Sequence, residues 1–122
     1  MRFLCLAYEE QGVFDGMSQE EWQALRQETL DYVAFLRERG ILVETMPLKS
    51  ATESVTLRVR GERLAVTDGP FVETKEQIGG FFVIEANDRN AAVEIAAKWP
   101  SARLGTIEVR PIEPELWMDR RY

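Results

Sequence analysis

Histidine is absent from the 122 residues, cysteine occurs once, and acidic side chains outnumber basic ones 21 to 15. Each shortfall removes a class of chemistry. Without imidazole there is no Ser-His triad, no base that titrates near neutrality unperturbed, and no zinc site of the usual kind. A single thiol forms no intramolecular disulfide and no cysteine-rich metal site, so neither a metal nor a cofactor is expected. A net charge of −6 suits a phosphate backbone poorly, and no direct nucleic-acid binding is expected. Long apolar runs are missing too. The stretch from Met1 to Tyr8 meets Glu9 and Glu10 at once, far short of the roughly 20 residues of a membrane-spanning helix and too short for a secretory leader. A soluble, cytoplasmic protein is expected, with no membrane partner.

What is present reads as one domain: 122 residues bury about two-thirds of the unfolded chain's surface. Phe3 to Tyr8 reads as a strand with apolar residues on both faces, Phe3, Cys5 and Ala7 on one and Leu4, Leu6 and Tyr8 on the other. Ser18 and Glu21 make a capping box. Trp22, Leu25, Thr29, Val33 and Leu36 follow at helical spacing, and Gly40 supplies a stop, predicting a helix over 18–39. Ile41 to Leu48 is a second strand whose Pro47 places it at an edge or a bulge. Val55–Arg60 and Arg63–Thr67 form a hairpin about Gly61-Glu62, opposing Val59 to Leu64 and Leu57 to Val66. Phe81 to Ile84 is apolar on both faces, as a central strand is. Asp88 caps a second helix with Ala92, Ile95, Ala96 and Trp99 inward, Pro100 stops it, and Leu104 to Arg110 is the last strand.

The order β-α-β, hairpin, β-α-β predicts an α+β fold, a ferredoxin-like sandwich with an added hairpin. Two helices blanket only one face of such a sheet. Two strands are apolar on both, so the other face needs a cover. A second copy of the chain, sheet against sheet, is the economical one, and a homodimer is expected. Residues 1–113 are read as the domain and 114–122 as a charged tail with Trp117 as a packing or interface anchor.

The run Val66-Thr67-Asp68-Gly69-Pro70-Phe71-Val72-Glu73-Thr74-Lys75-Glu76, with Ile78-Gly79-Gly80-Phe81 and Gly105-Thr106-Ile107-Glu108-Val109-Arg110-Pro111-Ile112, resembles the DGPF-domain branch of the YCII-related (YciI-like) proteins. Pro47-Leu48 and Trp99-Pro100-Ser101-Ala102-Arg103 sit where that family has similar motifs. The resemblance implies a bacterial protein with the dimeric α+β barrel fold, which also hosts muconolactone isomerases and small monooxygenases. It also implies, for some members, an association with extracytoplasmic-function sigma factors. A His–Asp pair proposed as an active site in the wider group has no counterpart here: Trp99 stands where many members carry a His.

Two function classes follow. The first is a small-molecule binder or carboxylate-based lyase- or isomerase-like enzyme, with its pocket at the dimer interface. Asp68 and Glu108 would be its proton-transfer candidates, Phe71 a pocket wall, Arg58 and Arg110 carboxylate contacts, and Gly79 and Gly80 points of close backbone approach. The second is a non-catalytic accessory protein acting through protein contacts. Each residue also has a structural reading. Asp68 accepts backbone N–H groups in an Asx-type turn beside Gly69. Glu73, Lys75 and Glu76, which could bind a polar substrate, are otherwise a solvated loop or dimer-rim ion pairs, Gly79-Gly80 is a bulge, and Cys5 is a buried, inert thiol. Trp22 and Trp99 are core residues.

Overall fold

The computed structural model of the chain describes residues 1–114, so the proposed tail and Trp117 lie outside the described residues. Strand β1 (Arg2–Glu10) leads to helix α1 (Gln19–Glu38), strand β2 (Leu42–Pro47), the hairpin β3 (Val55–Arg60) and β4 (Arg63–Asp68), strand β5 (Glu76–Glu85), helix α2 (Arg89–Ala97) and strand β6 (Thr106–Pro111). The main sheet has the order β2-β5-β1-β6 with every neighbour antiparallel. Each helix therefore links two parallel strands across an intervening one, and the α+β, ferredoxin-like expectation is borne out.

The local signals act as their chemistry requires. Ser18 Oγ accepts from the Glu21 N–H at 3.1 Å while Glu21 reaches back to the Ser18 N–H at 3.3 Å, so two helix-end donors are satisfied reciprocally. Gly40 follows the helix at φ 68°, a conformation that costs other residues their Cβ clearance. Asp88 Oδ1 accepts from Ala91 N–H at 2.8 Å. Gly61 turns the hairpin at φ 62°, and no described non-glycine residue has positive φ, which fits a turn needing it only at the first loop position. Leu57 opposes Val66 and Val59 opposes Leu64, as the pattern predicts.

Phe3, Cys5, Phe82 and Ile84 on one face of the central strands meet Val33 and Leu36 of α1, Ala92 and Ala96 of α2, and Trp99. The Trp99 ring lies flat on Phe82, centroids 3.9 Å apart, and Tyr32 closes on Trp99 edge-on at 6.1 Å. The Tyr32 hydroxyl donates to the Ile95 carbonyl at 2.7 Å, so the aromatic cluster ties the two helices together. Burial pushes the Cys5 thiol up to about 12, which leaves almost no thiolate at neutral pH and makes it the inert group expected.

Three features differ from the sequence reading. Trp22 is 45% exposed rather than core, because the buried residues of α1, Val33 and Leu36, lie in its C-terminal half and the first turns stand clear of the packed region. Strand β5 starts at Glu76, not at Phe81, because Glu76 and Gln77 pair with Glu10 and Glu9 of β1. The hairpin forms a two-stranded sheet of its own. Leu57, Val59, Leu64 and Val66 on one of its faces remain 55–64% exposed, although they are the apolar face its register calls for.

Phe82→Ala removes the platform under Trp99 at a fully buried position. The expected cost is about 3–5 kcal/mol, a large share of the roughly 5–15 kcal/mol that holds a domain together. Urea unfolding followed by Trp fluorescence measures it. A midpoint within 0.3 M of the parent, ~0.5 kcal/mol on a urea slope of ~1–3 kcal/mol/M, would show that the stack is dispensable.

Candidate functional site

Where the hairpin leaves the body of the protein, its backbone is pinned. The Gly69 N–H donates to the Ser54 carbonyl at 2.7 Å, and Thr56 Oγ1 donates to the Gly69 carbonyl at 2.8 Å. Gly69 itself sits at φ 99°. Pro70 then turns the chain, and Phe71 stands 66% exposed with the Arg58 guanidinium 5.1 Å from its ring centre, an exposed cation–π contact. Gln77 Nε2 donates to the Val72 and Thr74 carbonyls at 2.7 and 3.1 Å and holds the following loop against β5. Lys75 pairs with Glu10 at 3.3 Å.

Between this loop, the base of β3 and the sheet lies an open cleft of about 910 Å³. Tyr8 and Ile78 from the sheet and Val55, Pro70, Phe71 and Val72 from the hairpin side supply its apolar walls. The volume falls in the range of roughly 300–1,000 Å³ typical of small-molecule sites. A smaller hollow of about 130 Å³ adjoins it at the end of β1, with residues 48–51, Gln77 and Ile78 common to both.

Glu9 lines the smaller hollow. The register of β1 against β5 slips here: Ala7 faces Gly80 and Tyr8 faces Ile78, leaving Gly79 as the bulged residue. A Cβ built on Gly79 would overlap the Glu9 carboxylate, so the glycine makes the seat for the acid. Burial pushes the Glu9 carboxyl above the usual carboxylate range. Among the described residues its carboxylate has no hydrogen-bond or ion-pair partner. Sequence reasoning missed Glu9. The available signal was Gly79-Gly80 opposite a strand that runs on into two acids.

The expected site residues divide. Phe71 lines the cleft and Gly79 lines the hollow; Arg58 joins them only through its stack on Phe71. Gly80 has the Met46 carbonyl of β2 3.1 Å from where a Cβ would lie, so there the close approach is the neighbouring strand's. Glu108 and Arg110 pair with each other at 2.9 Å on the sheet face away from the helices, outside both hollows. Asp68 is exposed and, among the described residues, its carboxylate accepts no hydrogen bond. The Asx-type turn expected of it is not made, because Thr56 and Ser54 hold the turn through the backbone of Gly69. Among the described residues no three His, Cys, Asp or Glu side chains come together as a metal site.

The family model of the YCII-related domain matches residues 1–116. The chain belongs to the YCII-related family. It is 32% identical over 114 residues to an uncharacterized protein of Rhizobium meliloti (strain 1021), with 92% of each chain covered. In this YCII-related chain Trp99 is buried in the core cluster, pointed at Phe82 rather than at the cleft. The position at which the His of a His–Asp pair was considered is here a packing position.

Two tests follow from this geometry. Asp68→Ala is expected to shift stability by no more than about 0.5 kcal/mol, as exposed, unpartnered substitutions do, whereas Gly69→Ala forces a side chain into left-handed backbone and costs about 1–2 kcal/mol. Paired melting curves decide; a larger loss from Asp68→Ala would restore a structural role for its carboxylate. For Glu9, a raised carboxyl means that the native state binds more protons than the unfolded one between the ordinary value, ~4.3, and the raised one. Stability therefore falls as pH rises through that window. Glu9→Gln is expected to melt higher than the parent at pH 7.5, with the difference shrinking as pH is lowered toward ~4.3. Glu10 and Lys49, which line the same hollow, are left in place, and a pH-independent difference would contradict the assignment.

Proposed function

We propose that this YCII-related protein is a cytoplasmic homodimer that binds a small molecule in the cleft beside the hairpin, the cleft being closed by the second copy. The observation that carries this reading is the cleft itself: an open cleft of about 910 Å³ with apolar residues from both the sheet and the hairpin side and polar residues among its lining. The dimer reading rests on the face of the sheet opposite the helices. Leu4, Leu6, Phe81 and Val83 stand there half-buried, Met46 is 51% exposed, and no helix of the described residues packs over them. Apolar surface of that kind gains from a cover, and a second identical sheet supplies one by two-fold symmetry. If the site is catalytic, proton transfer falls to a carboxylate, in a lyase- or isomerase-like reaction, because the chain has no imidazole.

A second reading draws on the exposed apolar face of the hairpin, Leu57, Val59, Leu64 and Val66. Such a face fits a protein-contact module, an accessory of sigma-factor regulation. The first reading stands ahead because the cleft and the apolar sheet face support it together.

Sedimentation equilibrium at micromolar concentration is expected to give twice the chain mass of 14.0 kDa. A thermal-shift screen against a metabolite panel should find a ligand whose stabilisation, about 2.7 kcal/mol at a hundred times its Kd, is lost in Phe71→Ala. A monomer that no panel compound stabilises would overturn this reading and favour the accessory role.

A further inference from the structure

The small hollow at the end of β1 has a chemistry distinct from the cleft it adjoins. Phe14, Leu48 and Ile78 make its apolar walls, and Glu9 and Lys49 bring opposite charges to it. Neither charge is spent within the described residues: Glu9 has no partner, and Lys49 makes no ion pair there, whereas the neighbouring Glu10 is paired with Lys75. A partly buried carboxylate that accepts no hydrogen bond from the described residues takes its donors from water or from a ligand. Gly79 leaves free the space in which the Glu9 carboxylate lies, since a Cβ there would make that side chain shift.

We propose that the hollow is the anchoring subsite of the cleft and that it takes the hydroxyl end of a small alcohol or phenol, with Glu9 as the acceptor. A hydroxyl both donates and accepts, so it suits a lining that carries one carboxylate and one ammonium better than a carboxylate or amine does; either of those repels one of the two charges. The apolar body of the ligand lies on Leu48 and Ile78, which line both hollow and cleft. At about 130 Å³ the hollow is close to the roughly 150 Å³ cavity that accepts a single benzene ring. The assignment rests on the cleft being a ligand site, and it names Glu9, rather than Asp68 or Glu108, as the carboxylate that meets the ligand.

The test is a titration of the full chain with benzyl alcohol and, separately, with benzyl methyl ether, followed by amide NMR shifts. Gln11, Gly12 and Gly79, which line the hollow alone, report on it, and Phe71 and Val72 report on the cleft. Benzyl alcohol is expected to move the hollow amides with an affinity about tenfold above that of the ether, the value of one charge-assisted hydrogen bond at a partly exposed site. That preference should fall to within about twofold in Glu9→Ala and be reduced in Glu9→Gln, which keeps the shape of the side chain and loses its charge. Equal affinity of the two probes, or a preference that survives both substitutions, overturns the assignment of Glu9. Shifts confined to Phe71 and Val72 also overturn it while leaving the cleft as a ligand site. No saturable shift at either group of amides overturns the cleft reading and this inference together.

Discussion

Two helices can lie across only one face of a four-stranded sheet, and the rest of this molecule follows from that limit. The alternate residues Phe3, Cys5, Phe82 and Ile84 enter a closed core with α1, α2 and Trp99. Their neighbours Leu4, Leu6, Phe81 and Val83 carry comparable side chains to the opposite face, where the described residues lay no further layer over them. The pleat enforces this: adjacent residues of a strand cannot share a face. An apolar face without a layer, next to a hairpin that projects a second apolar face, is the condition under which a symmetric partner becomes the simplest cover and a cleft between hairpin and sheet becomes a place to hold a ligand.

The aromatic stack of Phe82 and Trp99 shows how a packing solution displaces a chemical one. A ring at position 99 that lies flat on the central strand, with Tyr32 against its edge, locks the end of α2 to α1 and leaves nothing there to serve a cleft on the other side of the fold. With no histidine anywhere in the chain, the acids near the cleft are the groups to compare. Of those, Glu9 has the unusual setting: a bulge at Gly79 lets it lie against the backbone, and partial burial makes its ionised form harder to keep. Such a seat costs stability, which is characteristic of positions kept for binding rather than for packing.

Much of the fold was legible from local signals. The capping box at Ser18, the Asp88 cap, the Gly61 turn and the cross-strand pairs of the hairpin each depend on residues a few positions apart, and each was found where the pattern put it. Trp22 was misread for the same reason. Helical periodicity says which residues share a side but not how far along the helix its neighbours reach, and the packing partners of α1 serve only its later turns. The start of β5 was misread because polar residues such as Glu76 and Gln77 carry no strand signal of their own; pairing with β1 makes them a strand. Asp68 was assigned a turn bond on residue type alone, but the turn is built from the backbone of Gly69 and the hydroxyl of Thr56.

The sequence by itself determined the elements, their order, the register of the hairpin, the alternation of faces along each strand and the chemistries ruled out by the lack of histidine. These are properties of short stretches or of composition, and short-range sterics and hydrogen bonding decide them. Only the tertiary structure decided that the hairpin stands apart from the main sheet, that Glu108 and Arg110 satisfy each other away from the cleft, and that Glu9 lies against Gly79 in a hollow that Lys49 also lines. Those outcomes depend on antiparallel pairing between β1 and β5, strands more than sixty residues apart, and on a one-residue slip in that pairing. Neither can be read from either strand alone, because a bulge belongs to the pair.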